Sequence, residues 1–202
     1  MSSERTANPY GVFLGRISTP TKPWLTLVVF VVTLACGVAQ LVHRSLYDAV
    51  VRDAVRIDDG QWYRLLTAMF FQDGWAVGLI SNLIGLAVLG TIAERVFGRG
   101  RWLVLYFVCG WFGQLMSYLW LSPVGAGNSM CIAGLLGGLA AVALRPPAGV
   151  PVHPRVRMVA IAIPVLAVVD TVIHDNHGLP ALLGLVLGFL LGLPRREMSV
   201  AP

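Results

Sequence analysis

From Trp24 to Val42 the chain runs without a single charged residue. About 20 apolar residues at 1.5 Å each span the hydrocarbon core of a bilayer as a helix, which satisfies every backbone polar group internally. Five more apolar runs follow, at roughly 75–96, 102–121, 129–143, 158–173 and 179–193. Composition agrees with them: 56% of the 202 residues are hydrophobic and 12% are charged, about half the charged share of a soluble domain. The expected fold is therefore an all-α polytopic membrane protein. Six transmembrane helices form one bundle over residues 24–194, between tails 1–23 and 195–202. A lead of 23 residues and the length of the first run fit a membrane span better than a secretory signal. Cys36, Cys109 and Cys131 all lie inside apolar runs, where cysteine behaves as a small hydrophobe. No disulfide and no metal cluster are expected from them.

The net charge of +5 is spread in short groups between the apolar runs and forms no basic face, so nucleic acid is not an expected partner. The groups sort by side instead. Arg5, Arg16, Lys22, Arg95, Arg99, Arg101, Arg145, Arg155, Arg157, Arg195 and Arg196 fall on one side, and Arg44, Arg52, Arg56 and Arg64 on the other. Eleven against four places both termini in the cytoplasm. The four arginines share one long extracytoplasmic loop, 44–74. Leu46, Val50, Val51 and Val55 have helical spacing there, and residues 61–71 mix aromatics with Arg64 just before Gln72. Loops over about 12–15 residues tend to fold on themselves or carry function, and this one is expected to lie in the interface plane. Trp102 and Trp120 flank the third run, about 27 Å apart along a helix, as tryptophans at two membrane interfaces would be.

In this topology Ser129 opens the fourth span and His177 immediately precedes the sixth, and both spans enter from the outer side. The two residues share one face and nearly one depth across 48 residues of sequence. Intramembrane polar groups are functional candidates by default, and a hydroxyl beside an imidazole is the minimal activated nucleophile. The competing reading has Ser129 as a helix N-cap and His177 as an interface residue. Gly134, Gly137 and Gly138 in the fourth span, and Gly184, Gly188 and Gly192 in the sixth, favour close backbone approach between these helices. Asn82, about two turns into the second span, can donate to a developing oxyanion beside the Ser129 backbone N–H, or can bond a neighbouring helix. The segment His174-Asp175-Asn176-His177, with Asp170 and His43, offers too few convergent ligands for zinc, so neither metal nor cofactor is expected. Asp170 or Asp175 can orient His177, though nothing in the spacing demands it. Ser81, Ser117 and Ser122 read as packing or cap residues. Glu94 reads as an ion-pair partner of Arg95 and Arg99.

Taken together, these residues resemble the rhomboid family of intramembrane serine proteases over about 61–192. Trp62-Tyr63-Arg64 is similar to the Trp–Arg signature of that family's long first loop. Gly90, Glu94-Arg95 and Gly98 resemble the close of its second span. Gly127-Asn128-Ser129 stands where the family has Gly-x-Ser, and His177 with Gly184 and Gly188 resembles its final helix. The resemblance implies Ser129 as nucleophile and His177 as general base and acid. It implies an oxyanion site at Asn82, the Ser129 backbone and Gly127. It also implies cleavage of transmembrane protein substrates near the extracytoplasmic side, in contact with membrane lipids, from a bacterial plasma membrane. Four positions depart from the family pattern. Gly78 replaces a common histidine, Met130 a glycine, Ala133 an aromatic that packs on the histidine, and Pro180 another glycine. The alternative is a catalytically inactive rhomboid-like protein that binds transmembrane clients through the same groove. No oligomeric state follows from the sequence.

Overall fold

A computed structural model of the chain describes residues 8–192. The expected tail residues Arg5, Arg195 and Arg196, and the last position of the sixth apolar run, lie outside the described residues. The fold is mostly helical. Its long helices coincide with the apolar runs: Trp24–Val42, Trp75–Leu121, Ser129–Leu144, Pro154–Val172 and Gly178–Leu191. Two stretches are long and apolar enough to cross a membrane, Trp24–Val42 and Trp75–Leu121; Ser129–Leu144 and Gly178–Leu191 are shorter apolar helices.

The stretch Trp75–Leu121 is two helices folded back on one another. Gly98 breaks the helical path with φ 74° and ψ 170°, a conformation that only glycine adopts cheaply. A leading arm therefore runs up to this bend and a returning arm away from it. Trp102, just beyond the bend, does not serve as the expected interface anchor. It is fully buried, donates its indole N–H to Gly90 O at 3.0 Å and stacks on Tyr106 at 4.8 Å. A buried indole needs such an acceptor, and the bend supplies it. Trp120 at the other end is exposed.

Glu94 does more than form an ion pair. Its carboxylate, buried in the leading arm, accepts from Leu25 N at 3.1 Å, Thr26 N at 2.8 Å and Thr26 Oγ1 at 2.8 Å. It thus caps the N-terminus of the first long helix from a distance of 68 residues. Negative charge at a helix start complements the macrodipole. Arg99 stands 3.9 Å away at the edge of this arrangement.

The long loop is folded on itself. Short helices Ser45–Val50, Ala54–Asp58 and Arg64–Thr67 are joined through Arg52–Asp53, which pairs antiparallel with Val124–Gly125 ahead of Ser129. Arg64 is buried as the internal staple, donating to Asp48 O, Val51 O and Gln61 Oε1 at 2.8–3.0 Å.

The helix Ser129–Leu144, called here the serine helix, occupies the centre. It is apolar all the way round, and eleven of its sixteen residues are buried, the pattern of a core helix. The histidine helix, Gly178–Leu191, packs along it through glycines. A Cβ at Gly184 would lie 2.1 Å from Gly134 O, one at Gly137 would lie 2.0 Å from Ala181 O, and one at Gly188 would lie 2.9 Å from Gly138 Cα. The peripheral helices expose Val28, Val31, Val77, Ile80, Ile84, Val165 and Leu190. Extended apolar exposure of this kind is rare on a soluble surface. All three cysteines are free.

Candidate active site

The serine helix opens at a left-handed glycine. Gly127 has φ +150°, and a Cβ there would face three polar atoms: Ser129 Oγ at 3.4 Å, Asn82 Nδ2 at 3.7 Å and Gln72 Oε1 at 3.8 Å. The hydroxyl, the Asn82 amide and Gly127 are thus neighbours although they come from three segments. Gly127 contributes space and backbone shape. Its own N–H is spent on Ala68 O at 2.8 Å, so it does not serve as an oxyanion donor.

Asn128 precedes the helix, where an asparagine ordinarily caps the first N–H groups. It makes no such cap. The buried Asn128 amide donates to Tyr106 O–H at 3.1 Å and accepts from Gln72 Nε2 at 3.3 Å. The N–H groups at the mouth of the serine helix, beside the Ser129 hydroxyl, are therefore left uncapped by a side chain. Their dipole end favours negative charge.

Gln72 organises this mouth. Its backbone is clamped by Gln40, which donates Nε2 to Gln72 O at 2.7 Å and accepts from Gln72 N at 2.9 Å. Its side chain accepts from Asn82 Nδ2 at 2.5 Å. An Asn amide carries two N–H donors, so one proton of Asn82 fixes the side chain and the other is available to a ligand. Behind the loop, Gln114 donates to Gly127 O at 3.3 Å and accepts from the buried Arg52, whose Nε reaches Ser122 O at 3.1 Å. Burial pushes the Arg52 guanidinium down to about 10 against the pull of Asp73, and it stays charged at neutral pH. Gln40, Gln114, Tyr106 and Arg52 carry none of this role in their sequence pattern. Their only signal is a polar side chain inside, or facing, an apolar run.

His177 lies at the start of the histidine helix. The glycine seam sets its depth: Gly134 abuts Gly184, Gly138 abuts Gly188, and Gly137 lies against Ala181 and Leu185, in parallel helices. Carried back, these contacts put His177 level with residues 127–133, the opening of the serine helix that includes Ser129. The helix mouths also meet across Gly113, where a Cβ would lie 2.6 Å from Pro180 Cγ and 2.8 Å from Met130 Sδ. Two of the departures from the family pattern are thus a matched pair packed on one glycine of the returning arm. Among the described residues, Ser129 and His177 form no hydrogen bond to each other. The imidazole Nδ1 instead meets Asp175 Oδ1 at 2.6 Å, and Asp175 Oδ1 also accepts from His177 N at 2.9 Å. Partial burial alone would raise the Asp175 carboxyl, but these bonds from His177 hold it below its usual value. Asp170 contributes only its carbonyl, which accepts from Asp175 N at 2.7 Å. Ser117 holds the next residue, donating to Asn176 Oδ1 at 2.8 Å, while Ser81 bonds back to Val77 O in its own helix.

Gly78, which stands where the family commonly has a histidine, has no room for a side chain. A Cβ there would lie 1.8 Å from Asp73 O, so the position is closed by the backbone leading into the arm. The turn is tight because Gly74 and Trp75 both have positive φ, 73° and 53°.

A serine at the open end of a buried helix, an asparagine amide beside it, a histidine at the start of a parallel helix and apolar outer faces describe a helical membrane protein with polar side chains gathered at one helix mouth. Residues 59–197 match the Rhomboid domain family, and the chain belongs to that family of integral membrane proteins. It is 40% identical over 88 residues to the rhomboid protease GluP of Bacillus subtilis, covering 44% of this chain and 17% of GluP. It is 31% identical over 140 residues to RHOMBOID-like protein 4 of Arabidopsis thaliana, covering 67% of this chain and 32% of that protein. RHOMBOID-like protein 7 of Arabidopsis thaliana matches at 35% over 80 residues, 39% of this chain and 25% of that protein. The chain spans less than half the length of each of these relatives.

Proposed function

We propose that the protein is an intramembrane serine endopeptidase that cuts transmembrane protein substrates near the extracytoplasmic side. In this reading six helices cross the membrane, the Trp75–Leu121 stretch supplying two of them, and both termini are cytoplasmic in a bacterial plasma membrane. The Ser129 hydroxyl attacks the scissile carbonyl while His177 takes its proton as general base. The oxyanion of the tetrahedral intermediate is held by the Ser129 backbone N–H and the free proton of Asn82. His177 then gives the proton to the leaving amine, and water hydrolyses the acyl-enzyme by the same steps. A catalytic hydrogen bond that closes only with substrate bound is common, and a shared depth is what the resting protein has to supply.

The observation that carries the reading is the grouping of Ser129 Oγ and Asn82 Nδ2 about Gly127, beside helix-terminal N–H groups left open because Asn128 is engaged elsewhere. A second reading, a rhomboid-like protein that binds transmembrane clients without cutting them, is favoured by one feature. Ala133 leaves the imidazole without the aromatic support common in the family, and the His177 side chain is 44% exposed. The purified protein, reconstituted with a transmembrane model substrate, separates the two. Cleavage abolished in both Ser129→Ala and His177→Ala supports the enzyme. Client binding without cleavage by the wild-type protein, or equal cleavage by Ser129→Ala, overturns it.

A further inference from the structure

We infer that Asp175 is a positioning residue for His177, fixing the tautomer of the imidazole in the proposed Ser129–His177 pair. This rests on the proposed serine protease reading. A single oxygen, Asp175 Oδ1, accepts from both the backbone N–H of His177 at 2.9 Å and the ring Nδ1 at 2.6 Å. A carboxylate acceptor at Nδ1 keeps the proton on that nitrogen and leaves the Nε2 lone pair for the Ser129 hydroxyl, the tautomer a general base needs.

The carboxylate is itself held in place. Asp175 N donates to Asp170 O at 2.7 Å, and the neighbouring Asn176 is tied by Ser117 to the returning arm at 2.8 Å. Beside it, His174 has φ 62°, a conformation non-glycine residues take reluctantly, and packs edge-on against Trp120 at 5.1 Å. The loop is thus fixed at Asp170, His174 and Asn176, and Asp175 is presented to the ring from between them. No aromatic side chain supports the imidazole from the serine helix, where Ala133 stands. The carboxylate two residues before the histidine supplies by hydrogen bonding the orientation that ring stacking would otherwise give. Of the two acidic residues near the histidine, Asp175 makes this contact and the Asp170 side chain does not.

The test uses the full chain in detergent or bilayers with a serine-directed fluorophosphonate probe and a transmembrane substrate. Asp175→Asn retains an oxygen for the His177 N–H, so the turn is kept while the charge and the fixed tautomer are lost. In serine proteases that use a Ser-His-Asp triad, the equivalent change costs about 10⁴-fold. Here both side chains are about two-fifths exposed, and the expected loss in kcat is about 10–100-fold with KM little changed. Nitrogen NMR of labelled histidine should show His177 protonated at Nδ1 in the wild type and mixed between tautomers in Asp175→Asn. Asp170→Asn should match the wild type in both. Unchanged labelling rate and tautomer in Asp175→Asn overturn the inference while leaving the dyad intact. A wild-type protein whose Ser129 never labels overturns the protease reading and the positioning role with it.

Discussion

Replacing Gly184 by alanine tests the depth argument on which the site depends. The added methyl carbon would sit 2.1 Å from Gly134 O, 2.7 Å from Gly134 C and 2.8 Å from Gly134 Cα. All three are backbone atoms of the serine helix, so no side chain can swing aside. Ordinary contact begins near 3.5 Å, and the two helices must part by roughly 1 Å at the seam to restore it. Overpacking of this kind costs about 1–3 kcal/mol of stability. Because Ser129 and His177 stand on the two separated helices, the same displacement falls on their reach, and about 1 Å of misplacement costs on the order of 10²-fold in rate. Turnover of a transmembrane substrate should therefore fall about a hundredfold in a protein that still folds, with the midpoint of thermal unfolding lowered by a few degrees. Gly100→Ala is the control: nothing lies within 4 Å of its Cβ position, and both quantities should stay at wild-type values. Full turnover in Gly184→Ala would show that the seam does not set the Ser129–His177 geometry, and the reasoning would fail.

Three further outcomes follow from the contacts. Gln72→Leu removes the acceptor that holds Asn82, and kcat should drop about tenfold, whereas Asn82→Ala should cost about 10²–10³-fold as the loss of an oxyanion donor; equal rates in Gln72→Leu and wild type would show that Asn82 needs no anchor. Gly78→Ala and Gly78→His should both lose stability and activity, because either Cβ meets Asp73 O, and a gain with histidine alone in a turnover assay would contradict this. Glu94→Ala strips the cap from the first long helix and should lower unfolding stability by about 1–2 kcal/mol, read as a shift in thermal midpoint with the chemistry at Ser129 little changed.

The apolar runs made the helices legible because a long uncharged stretch has few other folded fates, and their ends matched the structure to within a few residues. The return at Gly98 was legible only as a cluster of arginines and glycines, since the sequence does not say that the helical hydrogen bonding continues to either side of the break. Trp102 shows the limit of position-based reading. Its place at the end of a run fits an interface anchor, yet the bend presents Gly90 O to its indole and draws it into the core. Spacing along one helix cannot reveal an acceptor supplied by the arm on the other side of a turn.

The candidate site divides in the same way. Ser129 and His177 stood out because each interrupts grease at a helix mouth, and counting spans gave them one expected depth. Their support came from single polar residues scattered through the chain. Gln40, Gln72, Tyr106, Asn128 and Gln114 have no mutual spacing, because the contacts that join them run between helices and loops far apart in sequence. Each is buried, and a buried amide left unpaired in an apolar setting costs several kcal/mol; Gln40, Gln72, Asn128 and Tyr106 form one connected set around the mouth of the serine helix, with Gln114 beside it on Gly127 O. That set also accounts for the uncapped helix start. Asn128 is in the capping position by sequence, but its amide is worth more to the buried partners Tyr106 and Gln72 than to N–H groups at the open mouth. The donors a substrate oxyanion would use are free because the resting protein has a better use for the residue that would have covered them.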